Sequence, residues 1–276
     1  MNSNQPIIFL SSSAYFLFYA LVFIFTISTA ISSSGSKNNE TDYEALLNIK
    51  SMITKDPYGA LTSWNDSLHF CDWNGVTCGK RHKRVTTLRI RSSGLEGFLS
   101  PFVGNLSFLH KLSLPNNSLT GVIPHEIGRL PRLRYLALEL NKFNGVIPAS
   151  ISSCSFLEVI DISANELVGS IPKEIGFLSK LTALNLQDNM FTGGIPSFLG
   201  NITSMESFAI KNNPLGGKIP DTLGQWKFLK EFYSFSCNLS GTIPSFFYNF
   251  SRLAYFSLCD NQLTGNLHPA IGFMGG

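Results

Sequence analysis

A fixed 24-residue period constrains this chain more than any other feature. The motif NSLTGVIP begins at Asn117 and returns, with substitutions, as NKFNGVIP, NELVGSIP, NMFTGGIP and NPLGGKIP, each copy 24 residues after the last. Counted from Val85, eight blocks follow one another without insertion or deletion, and the eighth ends at Gly276, the last residue. Such a period predicts a repeat architecture, in which one block cannot bury its apolar face alone.

Recurring residue types inside a block indicate how each unit folds. The first, fourth and sixth positions are apolar, as in Leu157, Ile160 and Ile162, and the two-residue spacing of the last pair is that of a β-strand. The ninth position is usually Asn, and we expect its amide to satisfy backbone groups of the turn and of the next block. The thirteenth is Gly in all eight blocks, which predicts a backbone conformation or close approach that excludes a Cβ atom. Stacked blocks would bury a continuous core and form a parallel sheet along one side.

The front of the chain is typical of a secretory signal. Residues 14–27 form an uncharged apolar run, and the small residues Ser28, Thr29 and Ala30 follow, as in a cleavage site. The run is short for a membrane span, so we expect a cleaved signal peptide over residues 1–30. Because the segment before the run carries no Lys or Arg, an uncleaved signal anchor stays open. With a cleaved signal peptide or with an uncleaved anchor, the rest of the chain would face an oxidising compartment.

Cysteines and glycosylation signals agree with that compartment. Cys71 and Cys78 lie close together in CDWNGVTC, and a disulfide is the expected use of such a pair in a secreted chain. Cys154 occupies an apolar slot of its block, which predicts a buried thiol, whereas Cys259 could be free or paired with Cys237. The Asn-x-Ser/Thr acceptor signals for N-linked glycans fall at Asn39, Asn65, Asn105, Asn116, Asn201, Asn238 and Asn249.

Composition and motif content argue against several functional classes. The net charge of +3 is too small to indicate a nucleic-acid partner. The five His are scattered without the spacing of metal ligands, so we expect neither a metal site nor another cofactor. The chain also contains no kinase Gly-rich loop, HRD or DFG sequence, and no G-x-S-x-G elbow. We therefore expect no enzyme active site within these residues.

The pattern LxxLxLxxNxLxGxIP on a 24-residue period resembles the plant-type leucine-rich repeat. Before it, a capping-box start at Thr41, a helical apolar face with Leu46, Ile49 and Ile53, and CDWNGVTC are similar to the cysteine-paired N-terminal cap of plant leucine-rich-repeat receptors. The stretches CGKRHKRVTTLRI, LSPFVGNLSFL and ISSCSFL also resemble the extracellular part of receptor kinases that perceive microbial patterns.

This resemblance implies an α/β solenoid, that is, a leucine-rich-repeat superhelix with a parallel sheet on its concave face. A helical, disulfide-linked cap would cover residues 31–84, and eight repeats would cover residues 85–276. The seventh block has Ser234 in an apolar slot and Cys237 in the Asn slot, so we expect looser packing there.

The eighth block ends without the second cysteine pair that would cap the array. We therefore expect the N-terminal fragment of a longer ectodomain, truncated before the transmembrane and kinase regions. Apolar residues of the last coil would then stand exposed: Phe256, Leu258, Leu263, Ile271 and Met274.

Recognition is expected on the concave face, at the third, fifth, seventh and eighth positions of each block. Tyr233, Phe235 and Tyr255 are candidate anchors there; the alternative is that these rings pack on each other across adjacent strands. The basic run Lys80–Arg84 could dock an acidic ligand or cell-wall pectin, and is otherwise a solvated surface. A glycan at Asn116 would obstruct the second coil. The candidate ligand-facing residues are Tyr135, Glu139, Asp161, Gln187, Lys211, Tyr233, Phe235 and Tyr255.

The function implied by the resemblance is extracellular recognition by a plant receptor-like serine/threonine kinase, in immune or developmental signalling. Its partners would be a peptide or protein ligand and a co-receptor ectodomain. The chain would lie on the extracellular face of the plasma membrane or in the cell wall. It would meet the membrane only through a segment beyond Gly276 or through an uncleaved signal anchor. The alternative is a secreted inhibitor of a pathogen polygalacturonase, which has similar repeats but carries a C-terminal cysteine cap.

Overall fold

The computed structural model describes residues 40–266. The predicted signal peptide, the Asn39 signal, and the last apolar residues Ile271 and Met274 lie outside this range. All the strands described below belong to the compact unit that begins at Asp42. Within the described residues, no helix has both the length and the apolar character that a membrane span requires.

The described chain opens with the predicted cap helix, over residues 40–51. Leu46 and Ile49 lie on its buried face, as the spacing of apolar residues predicted. Ile53 was predicted on the same helical face, but the helix ends before it and Ile53 begins the strand Ile53–Lys55. Behind the helix, Trp64 and Trp73 are fully buried and stacked, with ring centroids 5.3 Å apart. The disulfide between Cys71 and Cys78 closes the last loop of the cap.

The long sheet contains one strand from each block and one from the cap. All neighbouring strands from the repeats are parallel, and each residue pairs with the residue 24 positions later, as Leu136 does with Ile160. The cap strand is antiparallel to the first repeat strand. In spatial order the strands are β2 (Val76–Cys78), β3 (Val85–Arg89), β5 (Lys111–Ser113), β7 (Tyr135–Ala137), β9 (Val159–Asp161), β11 (Ala183–Asn185), β13 (Ser207–Ala209), β14 (Glu231–Tyr233) and β16 (Tyr255–Ser257).

A second sheet, which the residue pattern did not predict, lies on the residues that follow the repeated Asn. The tenth to fourteenth positions of most blocks are extended and pair in parallel with the next block, each residue with the residue 22 positions later, as Thr120 does with Lys142. A cap strand, Ile53–Lys55, joins this sheet antiparallel. One group is β1 (Ile53–Lys55), β4 (Glu96–Phe98), β6 (Ser118–Val122), β8 (Lys142–Gly145), β10 (Glu166–Gly169) and β12 (Met190–Phe191); a separate pair is β15 (Ser240–Thr242) and β17 (Gln262–Thr264).

Short 3₁₀ helices, rather than α-helices, carry each coil back to the long sheet. In six of the repeats the helix follows a proline such as Pro124, whose φ of −65° suits the extended residue before a helix. An apolar residue of each helix is buried, for example Ile127. The helices are Phe70–Asp72 in the cap, then Pro101–Asn105, His125–Arg129, Ala149–Ser153, Lys173–Phe177, Ser197–Asn201, Asp221–Gln225 and Ser245–Asn249.

The repeated asparagines form a ladder that ties each coil to the coil before it. The Asn141 Oδ1 atom accepts from the Leu119 N–H at 3.0 Å, and its Nδ2 donates to the carbonyls of Leu114 and Leu138 at 2.9 and 3.0 Å. The prediction that the amide serves its own turn is confirmed, but the second partner is the preceding block and not the next one. Equivalent bonds occur at Asn117, Asn165, Asn189, Asn213 and Asn261.

Two positions in every block have left-handed backbone. The thirteenth, always Gly, has φ between +74° and +132°, which confirms the predicted reason for the glycine column. At Gly97 a Cβ atom would also lie 2.2 Å from the carbonyl oxygen of Met52. The eighth position is left-handed as well, with φ between +51° and +57°, although its residues include Leu140 and Ala164. The sequence analysis missed this position because no single residue type marks it.

The second sheet is interrupted at the sixth block, where the next Asn slot holds Cys237. In the fifth block, the Phe191 N–H donates to the Asn213 Oδ1 atom at 2.9 Å. The Cys237 thiol instead donates to the carbonyl of Ile210 at 3.1 Å, and sulfur is a weak acceptor. The Leu215 N–H therefore bonds within its own turn, to the Asn213 carbonyl at 2.8 Å. Between β12 and β15, only an isolated bridge from Lys218 to Ser240 is present in the described chain.

Replacing Cys237 by Asn is expected to stabilise the protein. The amide oxygen would accept the Leu215 N–H in place of that group's bond within its own turn, and two N–H groups would replace one weak thiol donor, in a slot where asparagine already fits in six other blocks. At about 1 kcal/mol for each net hydrogen bond, we expect a gain of about 1–2 kcal/mol in the free energy of unfolding, measured by denaturant titration. Cys154→Asn is the matched control, and should destabilise, because that thiol is buried in an apolar slot. Destabilisation by Cys237→Asn would contradict this explanation of the interrupted sheet.

Aromatic rings fill the core at the seventh and eighth blocks. Phe232 lies 5.6 Å from Phe208, 4.9 Å from Phe247 and 6.0 Å from Phe256, measured between ring centroids. Ser234 is fully buried there, and its hydroxyl has no hydrogen-bond partner among the described residues. Three residues expected to stand exposed at the end are instead half-buried against the core: Phe256, Leu258 and Leu263.

Candidate functional site

The concave face is formed by the side chains of the long sheet that point away from the core. Because successive strand residues point to opposite sides, Leu136 is fully buried whereas Tyr135, beside it on β7, is 39% exposed. Four of the ligand-facing candidates are strand residues of this face, and the other four, Glu139, Gln187, Lys211 and Phe235, each lie two residues beyond the end of a strand. Tyr135 and Tyr255 are exposed, and the other six are half-buried: Glu139, Asp161, Gln187, Lys211, Tyr233 and Phe235.

A hydrogen-bonded polar cluster occupies the fourth and fifth blocks of this face. Asp161 accepts from the Ser163 hydroxyl at 2.6 Å and from the Asn185 amide at 3.0 Å. Asn185 accepts in turn from the Gln187 Nε2 atom at 2.7 Å. These side chains already hold one another in place, so less conformational entropy would be lost when a ligand orders them.

Glu139 presents an unsatisfied carboxylate oxygen near the centre of the face. Its Oε2 atom is buried and has no hydrogen-bond partner among the described residues. Burial raises the pKa of this carboxyl, and Asp161 adds to the rise, while a backbone hydrogen bond, Arg91 and Lys111 lower it. A buried acceptor without a partner is costly, so an N–H donor or a cation from a ligand would be well matched here.

An aromatic cluster occupies the seventh and eighth blocks. The rings of Tyr233 and Tyr255 are stacked, with centroids 6.5 Å apart and planes 26° apart. The Lys211 Nζ atom lies 5.4 Å from the centroid of Phe235 and 3.7 Å from the Asp188 carboxylate. Cross-strand packing of the tyrosines is thus present, and Tyr255 remains 58% exposed as a surface that a ligand can cover.

Arg84 does not belong to the exposed basic run. Its Nε and Nη2 atoms donate to the two carboxylate oxygens of Asp42 at 2.9 and 2.7 Å, and both side chains are buried. The Val85 N–H and the Ser107 hydroxyl complete this network. The remaining residues of the run, Lys80 to Lys83, are exposed. Sequence reasoning missed the pair because its partners are 42 residues apart.

The three other cysteines are free thiols. Cys154 and Cys237 are buried, and burial raises the pKa of both thiols to about 11. Cys259 is exposed and is not bonded to Cys237, so the open alternative of a second disulfide is not adopted here. Within residues 40–266, no cluster of three or more His, Cys, Asp or Glu is placed to hold a metal ion.

The described glycosylation signals are all accessible to some degree. Asn105 is half-buried, and Asn116 donates a hydrogen bond to the Ser92 hydroxyl at 2.9 Å while staying exposed at the edge of the concave face. The other exposed acceptors are Asn65, Asn201, Asn238 and Asn249.

Two family models match this chain. Residues 39–79 match the leucine rich repeat N-terminal domain, and residues 88–240 match the leucine-rich repeat region. The LRR receptor-like serine/threonine-protein kinase EFR of Arabidopsis thaliana is 41% identical over 114 residues, which is 40% of this chain and 11% of that protein. The receptor kinase-like protein Xa21 of Oryza sativa subsp. japonica is 46% identical over 82 residues, or 28% and 8%. The aligned segments thus span about a tenth of these relatives.

Solved ectodomains share the fold. The Arabidopsis receptor kinase HAESA, in complex with the peptide hormone IDA and the co-receptor SERK1, superposes with a TM-score of 0.78 at 33% identity, covering 83% of this chain and 39% of that chain. The ectodomain of GASSHO1/SCHENGEN3 from Arabidopsis thaliana, in complex with CASPARIAN STRIP INTEGRITY FACTOR 2, gives 0.73 at 31% identity, covering 85% and 31%. With its cap, its stacked 24-residue coils and these matches, the chain belongs to the leucine-rich repeat family, in the form found in the ectodomains of plant receptor kinases.

Proposed function

We propose that this chain is the extracellular recognition region of a plant leucine-rich-repeat receptor kinase, and that it binds a peptide or protein ligand on the concave face. The proposal rests on the concave face itself. Its side chains are not needed to fill the core, and hydrogen bonds already hold its polar cluster in place. The peptide complexes of HAESA and GASSHO1 support a ligand of this class. A co-receptor ectodomain would join the complex, as SERK1 does with HAESA. Phosphorylation would fall to a kinase domain, of which these residues are not part.

The concave face changes character along the array, which indicates how a ligand would be oriented. Arg89 and Arg91 make its first coil basic, Glu139 and Asp161 make its centre acidic, and the stacked tyrosines make its far end aromatic. A complementary ligand would place acidic groups over the first coils, N–H donors or a cation near Glu139, and an apolar segment over Tyr255.

The proposal is tested by binding of synthetic secreted plant peptides to the full chain, produced through the secretory pathway and measured by biolayer interferometry. We expect a saturable binder whose affinity falls about tenfold or more when Tyr233, Phe235 and Tyr255 are all replaced by Ala, because central aromatic residues dominate many interfaces. Phe177→Ala is the matched control, since this 69% exposed ring lies on a 3₁₀ helix and not on the sheet. Binding that survives the triple variant but is lost in the control would place the site elsewhere.

A further inference from the structure

Aromatic and cationic side chains alternate along one flank of the repeats. They occupy the last position of each block, just before the first core residue of the next. Two residues later, at the second position of the next block, backbone hydrogen bonds join consecutive coils, such as that from the Arg134 N–H to the His110 carbonyl at 2.8 Å. Coils paired in this way stack about 4.8 Å apart, so the side chains form a line with one residue for each coil. This line, here called the flank ladder, is Phe108, Arg132, Phe156, Lys180, Ser204, Phe228 and Arg252.

Each cation of the flank ladder lies over the ring that precedes it. The guanidinium carbon of Arg132 is 4.0 Å from the centroid of Phe108, and the Lys180 Nζ atom is 4.0 Å from that of Phe156. Arg252 repeats the contact over Phe228 at 5.0 Å. Such a contact restricts a long side chain while its charged group stays exposed, so less entropy is lost when the cation binds an anion.

The positive charge of the flank ladder is not neutralised within residues 40–266. None of its three cations forms an ion pair there. The acidic residues one position before the strands are already paired: Glu158 with Arg134, and Glu206 with Lys230. An anionic partner would therefore find free cations without displacing an existing pair.

The flank ladder continues into the exposed basic loop of the cap. The imidazole of His82 lies 6.0 Å from the ring of Phe108, so the loop begins where the ladder begins. Its neighbours Lys80, Arg81 and Lys83 are exposed. The loop and the first half of the ladder thus form one basic strip, on a chain whose net charge is only +3.

We propose that this strip binds an acidic polysaccharide of uronic acid units, a polyuronate. Arg132 and Lys180 are two coils apart, or about 10 Å, which suits a linear polymer with regularly spaced carboxylates. Guanidinium groups bind carboxylates in a bidentate manner, and a line one side chain wide fits a chain better than a flat membrane. The choice of an extracellular polyanion rests on the proposed location of this chain. The strip lies off the concave face, so its test is independent of the peptide experiment.

The test uses the full chain and an immobilised oligomer of galacturonic acid. The double variant Arg132→Gln/Lys180→Gln should weaken binding about fivefold or more, and added salt should weaken binding by the wild type. Phe156→Leu keeps every charge and should weaken binding about twofold, since Lys180 loses its platform. The control Arg134→Gln/Lys230→Gln removes the same charge from ion-paired residues and should change the affinity less than about twofold.

Three outcomes would overturn the proposal. The first is absence of binding to the oligomer at low salt. The second is an equal loss in the control double variant, which would mean attraction by net charge alone. The third is binding of equal strength to the methyl-esterified oligomer, or to vesicles containing phosphatidylglycerol, since neither presents free uronate carboxylates.

Discussion

Replacing Asn189 by Ala is expected to lower the free energy of unfolding by about 3–5 kcal/mol, because several buried backbone groups lose their partner at once. The amide accepts from the Leu167 N–H at 3.0 Å and donates to the carbonyls of Ile162, Leu186 and Gln187 at 3.1, 3.2 and 3.0 Å. Asn189 is only 7% exposed, so bulk water cannot replace these bonds in the folded chain. Urea denaturation of both proteins, followed by circular dichroism, measures the difference.

Two controls separate the ladder from a general effect of removing an amide. Asn185→Ala changes the same residue type four positions earlier, where the half-buried amide bonds side chains and one backbone group, the Gln187 N–H at 3.3 Å, and should cost less than about 1 kcal/mol. Asn189→Cys copies the arrangement at Cys237, where a thiol keeps one donor, and should fall between the two. An Asn189→Ala variant as stable as Asn185→Ala would show that the ladder contributes little.

Asp42→Ala is expected to cost about 3–5 kcal/mol, since it leaves the Arg84 guanidinium buried without a counter-charge. The carboxylate is fully buried, and it also accepts from the Val85 N–H at 2.8 Å, so the cap loses a link to the first repeat strand besides the pairing of β2 with β3. Thermal unfolding should show a large drop in the midpoint, or a separate early transition if the cap melts alone.

The matched control is Glu96→Ala, which breaks the exposed pair with Lys55 and should cost less than about 1 kcal/mol. In the double variant Asp42→Ala/Arg84→Met no buried charge is left alone, and part of the lost stability should return. Equally small losses of stability in Asp42→Ala and Glu96→Ala would show that the buried ion pair does not hold the cap on the repeats.

The period alone predicted the features that depend on residue type at a fixed spacing. Leu136 pairs with Ile160 in the long sheet because both stand at the fourth position of uninterrupted blocks. Gly145 has φ of +74°, as expected of a position that tolerates no other residue in eight blocks. These features are local or repeated, so one block predicts the next.

Features that depend on contacts between coils were harder to predict. The direction of the Asn141 bonds is set by the distance to the preceding turn, which no spacing reveals. Each strand of the second sheet is short, and most contain the repeated Gly and charged or amide residues such as Lys142 and Asn144, which are depleted in strands. Arg84 looked like part of a basic run because its partner lies in the cap helix.

For the candidate site, the sequence predicted which residues face the ligand, but it did not reveal how their side chains contact one another. The link from Asp161 to Asn185 and the stacking of Tyr233 on Tyr255 depend on rotamers, which vary with neighbours in adjacent coils. The flank ladder was hidden for a similar reason, since Phe108 and Arg132 are 24 residues apart.

The backward direction of the asparagine bonds has a consequence for how the molecule is made. Six turns, those of the first to fifth and seventh blocks, are completed by a side chain that the ribosome has yet to add, so these coils must wait for their successors. Because synthesis runs from the cap outward, a growing chain would hold a single unfinished coil at its tip, covered as soon as the next 24 residues emerge. Assembly of this solenoid would thus keep step with translation and move in one direction.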